Sequence, residues 1–480
     1  MSKSILIYNA RLLDESMDTS GAVLIVDGKI RSVFQGYFTT AETVTDFAKA
    51  VLKEDGYGDN AEFELIDLQG FTLTPAFIDM HVHMRYPGQT QKEDLTTGLK
   101  AAVAGGYGTV VAMPNTNPVV SSIDMAMKIE REAAALGLAH LFQVVSITKD
   151  FGGEDISHLD YLDKKYVPVI SEDGRDVLSA AVMLEGMKKA GDKNIIVSCH
   201  CEDPTLAAKA KMFRQEALTH MKELGLSSWG DAADDETNLS EDDILTYAEP
   251  LSTANNILRE AEDIATVRNL MLAQKAGCHI HLAHVSTARS IQAIRQFKIA
   301  HPEMKISCEI TPHHLALENE STLNWVDSTR YLRSLVNPPI RDSQDLDEIR
   351  EAILDGTVDV ISTDHAPHTM EDKAGGSPGF TGLETAFGVC NTILVKKEYN
   401  MPRLLSTLMS ANPARLLGLK KGLLQTGYDA DLTVVDPDEE WIVDSSAFYS
   451  KGKASPFNGA RLTGRVKAVF IDGHKVFERN

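Results

Sequence analysis

The stretch FIDMHVHMRYPG, residues 77 to 88, ends an apolar run with two histidines one residue apart and an arginine two further on. If residues 77–84 form a β-strand, successive side chains alternate faces. His81, His83 and Arg85 then share one face, while Val82 and Met84 take the other. Two imidazoles and a guanidinium over one spot are the makings of a polar site. Two polar residues on a solvated strand face would look the same in isolation, so what decides is whether partners gather elsewhere along the chain.

Seven further strand candidates follow, at 109–114, 142–148, 167–171, 195–200, 280–285, 306–311 and 358–363, after the first at 76–83. Amphipathic helical patterns such as 93–104, 123–136 and 180–190 separate most of them. Eight strands alternating with helices predict an α/β fold, a parallel (β/α)8 TIM-type barrel. The shortest crossover is the one between the third and fourth strands. Both chain ends read differently, as short strands with Asp-Gly turns at Asp27-Gly28 and Asp472-Gly473. They predict a small β-sandwich built from both termini, residues 1–73 with 421–480, beside a barrel over 74–420. Two acidic insertions interrupt this plan, at 37–66 and about 212–246, and their carboxylates read as solvated faces. The second lies downstream of a strand end, which leaves a lid-like role open.

Composition narrows the function. With 480 residues, 43% hydrophobic and 24% charged, the chain has the make-up of a globular protein with a large core. A formal net charge of −22 argues against nucleic acid or an anionic membrane surface as partner. No apolar run reaches the roughly 18 residues of a membrane span, and the first residues lead into a strand pattern instead of a signal peptide. Five cysteines are too few for a disulfide scaffold and read as reduced thiols in a cytoplasmic protein.

At the carboxyl ends of barrel strands, side chains converge on one open face. The first strand ends in His81 and His83, the second in AMPNTNP with Asn115, and the fourth in SEDG with Asp173. The fifth ends in SCHCED with His200, the sixth in HLAHVST with His284, and the eighth in STDHAPH with Asp364, His365 and His368. Histidine nitrogens and carboxylate oxygens on one rim point to a metal centre. Zinc suits this donor set, at about 2.0–2.2 Å, ahead of manganese or iron. His81 and His83 reach one ion, His200 and His284 a second, and Asp173 can bridge, so a binuclear centre is favoured over a single ion. Cys199 and Cys201 flank His200 and point away from it, into the core. Two divalent ions set against Asp173, Asp364 and a hydroxide leave the site at about +1 before Arg85 is counted, which suits a small anionic substrate. Bound to a metal, water becomes a nucleophile near neutral pH. Asp364 is the candidate general base that moves its proton to a leaving nitrogen.

These residues, in this order, resemble the amidohydrolase superfamily and, within it, the bacterial class I dihydroorotases. The resemblance rests on FIDMHVHMRYPGQTQKEDLTTG, AMPNTNP, SEDGRDV, HCED, HLAHVST, TPHH, NPPIR, DGTVDVISTDHAPH, GFTGLETAF and NPARLLGL. It implies zinc held by His81, His83, Asp173, His200 and His284, with Asp364 touching metal and serving as acid/base. It also implies reversible hydrolysis of (S)-dihydroorotate to N-carbamoyl-L-aspartate in pyrimidine synthesis. Substrate contacts carry over to His83, Arg85, Asn115, Asn337 and His368, and to the backbone at Pro378 and Gly379. Arg85, Asn115 and His368 make a physically sensible carboxylate clamp. A homodimer is an oligomeric form the chain allows.

Departures from the family pattern are Met84, Glu172 and Pro378, and none removes an expected ligand. His313 and His314 match a family motif and read as structural. The nearest rivals, allantoinases and hydantoinases, typically bridge their metals with a carboxylated lysine on the fourth strand. Here Lys164 and Lys165 precede that strand and Asp173 stands at its end, which favours dihydroorotase. A metal-free scaffold homologue is the remaining alternative, and the complete ligand set counts against it.

Overall fold

Residues 4–56, 62–225, 240–319, 332–397 and 399–479 are described in the computed structural model. The centre of the 212–246 insertion therefore lies outside the described residues. All eight expected barrel strands form: Phe77–Val82, Tyr107–Ala112, His140–Gln143 continuing as Val145–Ser146, Val169–Ser171, Ile196–Cys199, His279–Leu282, Lys305–Ile310 and Val360–Ile361. Each pairs in parallel with the next. A parallel bridge between Val82 and His365 joins the last strand to the first, and the His83 N–H donates to the His365 carbonyl at 2.8 Å. The barrel closes there.

The sequence shows in its two-residue repeat which way each strand faces. Ile78, Val111, Val169, Ile196 and Val360 form one apolar cluster with Ala414 and Leu417, which floor the barrel. Two residues up from the floor stand Met113, Ser171, Ser198 and Ser362. Two further up stand Asn115, Asp173, His200 and Asp364. The intervening residues, among them Val110, Ile170, Val197, Cys199, Ile280 and Ile361, pack outward against helix residues such as Leu99, Ile129, Met187, Leu270 and Ile349. Cys199 and Cys201 belong to this outer layer, and all five cysteines are buried and free.

Strands end sooner than the hydrophobic pattern suggests. The first stops at Val82, and Arg85 adopts φ 53°, as His284 adopts 33° and Asp364 49°. Left-handed backbone at non-glycine residues is costly and concentrates where function demands it. Arg85 thus reaches the rim through a turn and not by continuing the strand alternation. Met84 points away from the rim, packed so closely on Gly98 of the helix Leu95–Ala104 that a Cβ there would lie 2.4 Å from its sulfur.

Strands from both chain ends share one eight-stranded sheet. Its path runs His474–Glu478, Arg461–Ile471, Leu432–Ile442, Thr72–Pro75, Ser4–Leu13, Asp18–Val26 and Lys29–Gln35. The strand Glu64–Asp67 pairs beside Ser4–Leu13. Ile5, Ile7 and Ile25 share a core with Leu432, Val434 and Phe470, so the two halves of the sheet fold over each other as a sandwich. The acidic 37–66 segment contributes more than a solvated face. Its helix Ala41–Glu54 lays Val44, Ala48 and Leu52, spaced by four, over Leu6 and Leu24 of the sheet. Both Asp-Gly turns form as expected, with φ near 49° and 74° at Asp27 and Gly28 and near 48° and 75° at Asp472 and Gly473. Among the described residues no helix is long and apolar enough to cross a membrane.

Phe77 opens the first barrel strand where barrel and sheet meet. It is 1% exposed, stacked on Phe387 at 5.5 Å and edge-on to Tyr107 at 5.7 Å. Phe77→Ala is expected to cost about 3–5 kcal/mol of stability, read as a lower denaturant midpoint.

Candidate metal centre

At the carboxyl end of the barrel, five side chains from the ends of four strands converge around the Asp173 carboxylate. Its Oδ1 lies 3.2 Å from His81 Nε2, 3.5 Å from His200 Nδ1 and 4.0 Å from His284 Nε2. Its Oδ2 lies 3.5 Å from His83 Nε2. Asp364 approaches from the other side, with Oδ1 3.1 Å from His83 Nε2 and 3.6 Å from His81 Nε2. All six are buried.

The tautomers follow from the partners. Asn115 Nδ2 donates to Asp173 Oδ2 at 3.0 Å, which leaves Asn115 Oδ1 to accept from His83 Nδ1 at 2.9 Å. The His83 proton therefore sits on Nδ1, and the Nε2 lone pair faces Asp364. His81 Nδ1 likewise donates to Glu309 Oε1 at 3.0 Å, turning its Nε2 into the cluster without a hydrogen-bond partner. Such outer partners fix ring orientation in metal-binding histidines. His200 Nδ1 and His284 Nε2 face each other at 2.9 Å, a separation at which one ring carries the proton that the other accepts.

Electrostatics draws cations here. Burial pushes Asp173 up, yet His81 and His200 hold its carboxyl well below the usual range. Burial pushes His81 down, but Asp173, Glu309 and Asp364 raise it well above an ordinary histidine. Asp173 and Glu202 lift His200 to about 10 against its burial. His284, buried and flanked by His200 and His81, falls to about 4. Two sets, His81 with His83 and Asp364 and His81 with Asp173 and His284, each bring one ligand atom per residue within 4.8 Å of the others. The donor chemistry fits a divalent metal.

A cleft of about 670 Å3 opens above this cluster, walled by Arg85, Asn115, Asn337, His368, Pro378 and Gly379 along with the cluster itself. The sequence-derived substrate residues thus meet in one place. Buried Arg85 is pushed down to about 10 and stays cationic at neutral pH. It donates from Nη2 to His368 Nε2 at 3.2 Å and from Nε to the Pro367 carbonyl at 3.2 Å. Burial, with Arg85 and Lys92 alongside, lowers His368 to about 2, so its ring is neutral. Gly379 has φ 115°, and a Cβ there would lie 2.8 Å from that of Ala366; only glycine fits.

Other residues were not singled out from the sequence. Glu309, two residues before Thr311 on the seventh strand, accepts from His81, from His281 Nε2 at 3.0 Å and from Ser362 Oγ at 2.5 Å. Its signal was present in ISCEI, where Ser307 and Glu309 alternate with Cys308 and Ile310. Lys92 Nζ sits 3.3 Å from His368 Nδ1 and 3.4 Å from Asp372, and no sequence pattern marks it. Arg214 donates to Asn337 from within the second insertion. His314 accepts from Thr311 Oγ1 and donates to the Pro338 and Pro339 carbonyls at 3.2 Å, and His313 packs edge-on against Phe380 at 4.8 Å. Glu172 turns away to accept from the Thr148 backbone and hydroxyl. A further group, His140 with Asp431 and Asp472, lies at the opposite end of the barrel, where Lys421 already pairs with Asp431.

The amidohydrolase family model matches residues 72–476. A dihydroorotase of Clostridium botulinum is 36% identical over 470 residues, 98% of each chain. One from Caldanaerobacter subterraneus is 35% identical over 426 residues, 88% of this chain and 90% of its own. Among solved structures, the L-hydantoinase of Arthrobacter aurescens superimposes with a TM-score of 0.78 at 22% identity, covering 100% of this chain and 97% of its own, a likeness of fold. The chain belongs to the amidohydrolase family, among its dihydroorotases.

Proposed function

We propose that this chain is a zinc-dependent dihydroorotase that reversibly hydrolyses (S)-dihydroorotate to N-carbamoyl-L-aspartate in pyrimidine synthesis. The observation that carries this reading is the gathering of four histidines and two aspartates under a cleft whose wall bears Arg85, Asn115 and His368. Dihydroorotase relatives spanning nearly the whole chain support it.

His81, His83, Asp173, His200, His284 and Asp364 would hold the metal. Zinc is the metal favoured by this nitrogen and oxygen set; with Asp173 Oδ1 toward His81, His200 and His284 and Oδ2 toward His83, its two oxygens could serve two ions. When bound, the metal acidifies a water molecule and polarises the amide carbonyl. Asp364 takes the proton from the attacking water and returns it to the ring nitrogen as the carbon–nitrogen bond breaks. Its Oδ1 lies 3.1 Å from His83 Nε2. Arg85 and His368, with Asn115, receive the substrate carboxylate, as a forked cation beside neutral donors suits. Asn337 and the backbone at Pro378 and Gly379 face the ring.

Hydantoinase-like folds share this architecture, but the fourth strand here ends in Asp173 and its lysines, Lys164 and Lys165, precede it. Turnover of dihydroorotate tested beside hydantoin and allantoin, with zinc counted per chain, is the deciding experiment. Preference for hydantoin or allantoin, or a metal-free chain with no hydrolysis, would sink the reading.

Asp364→Asn should lower kcat by at least about 100-fold while most of the metal remains bound; near-normal turnover would remove Asp364 from the role of base. Arg85→Ala should raise KM more than it lowers kcat, because the lost contact is made to substrate and transition state alike. Glu309→Gln should weaken metal retention by about 10–100-fold, measured by zinc content after dialysis against a chelator.

A further inference from the structure

The chain leaves His200 through Asp203, whose side chain caps the helix Pro204–Glu223 by accepting from the Thr205 and Leu206 N–H groups. The inward face of this helix is Ala210, Arg214, Ala217 and Met221. Ala217 and Met221 pack against Leu332 and Leu335, just ahead of Asn337. An arginine in such an apolar row is costly unless its donors are satisfied. Arg214 directs Nη1 to Asn337 Oδ1 at 2.5 Å and Nη2 to the Val336 carbonyl at 3.4 Å.

A guanidinium has five donors and no acceptor. The amide oxygen of Asn337 must therefore face Arg214, which turns Nδ2 toward the cleft that Asn337 walls. The backbone beneath is held independently. Lys373, fully buried, gives its three protons to the carbonyls of Leu335, Ser377 and Gly379 at 2.8–3.0 Å, and the Gly379 N–H returns to the Leu335 carbonyl at 2.9 Å. With that backbone tethered, the remaining freedom is rotation of the Asn337 amide, and Arg214 removes it.

We propose that Arg214 is a positioning residue: by pinning the Asn337 amide it makes Asn337 an obligate hydrogen-bond donor to a ring carbonyl of the cyclic substrate. The identity of that substrate rests on the dihydroorotase reading. An unpinned amide could turn its oxygen toward the carbonyl and repel it. The second insertion thereby enters substrate recognition.

The test is steady-state kinetics on the full metal-loaded chain for Arg214→Met, Arg214→Lys, Asn337→Ala and the Arg214→Met/Asn337→Ala double variant. Arg214→Met should raise KM about tenfold, with kcat within about threefold and metal content unchanged. Arg214→Lys, which keeps a donor, should restore most of the loss. In the Asn337→Ala background Arg214→Met should add nothing, because its effect runs through Asn337. An unchanged KM in Arg214→Met, or an equal effect in both backgrounds, overturns the proposal. Asn337→Asp guards against a folding artefact: its carboxylate pairs with Arg214 but offers no proton, so KM should rise as in Asn337→Ala, and a wild-type KM overturns the proposal. If the wild-type chain hydrolyses a different cyclic ureide, the dihydroorotase reading fails, and the same cycle on that substrate still decides the role of Arg214.

Discussion

A strand sends alternate side chains to opposite faces, and closing eight strands into a barrel turns one of those faces inward for all of them. In this chain that repeat carries three kinds of chemistry up one wall. Val169, Ser171 and Asp173 rise from apolar floor to polar middle to rim, as do Ile196, Ser198 and His200, and Val360, Ser362 and Asp364. The rim side chains therefore cannot move without the floor moving. Slipping one strand by one residue would bury its outward apolar side chains in the barrel and turn its ligand toward the helices. The same register that makes the core makes the site.

The polar middle has its own purpose. Glu309, with no exposed surface, lies beneath His81 and is held by His281 and Ser362 from the strands on either side. A carboxylate buried this deeply is tolerable only with all its lone pairs engaged. Its partners thus fix Glu309, Glu309 holds His81 Nδ1 as a donor, and it is Nε2 that faces Asp173. His83 reaches the same condition through a different partner, Asn115, which is itself fixed by Asp173. Two neighbouring histidines are thereby prepared by separate hydrogen-bond chains, one rooted in the barrel interior and one in the cleft.

What the sequence disclosed follows from this division. Strand existence was legible because eight apolar runs repeat at βα spacing, and the rim residues were legible because histidines and aspartates are scarce at the ends of such runs. Strand ends were not, because the chain bends at Arg85, His284 and Asp364 into left-handed backbone that hydrophobicity does not encode. Glu309 could have been found by continuing the two-residue count down the seventh strand. Arg214 could not: a helical pattern with one arginine on its buried face looks, in sequence, like a weak amphipathic helix. Only the fold brings it against Asn337, 123 residues away. The apolar seat of the 37–66 segment was hidden for a related reason. Its acidic residues dominate its composition, while the apolar stripe that seats it on the sheet is only three residues wide.

The charge of the whole chain and the charge of the cleft point in opposite directions. At −22 the surface repels anions at long range, but at physiological salt that field decays over about 8 Å. Inside the cleft the near charges decide: Arg85 on one wall, Lys92 behind His368, and Arg214 behind the Asn337 loop. The proximity of Arg85 and Lys92 also explains the neutral ring of His368, whose Nε2 accepts from Arg85 and so aims the guanidinium. Neutralising Lys92 would relieve the pressure on His368. A ring bearing a carboxylate would gain from Arg85 on the cleft wall, whereas the Asn337 amide that Arg214 pins would serve charged and uncharged rings alike. Under the dihydroorotase reading, selection between such rings would rest on Arg85, apart from the residues that would hold the metal.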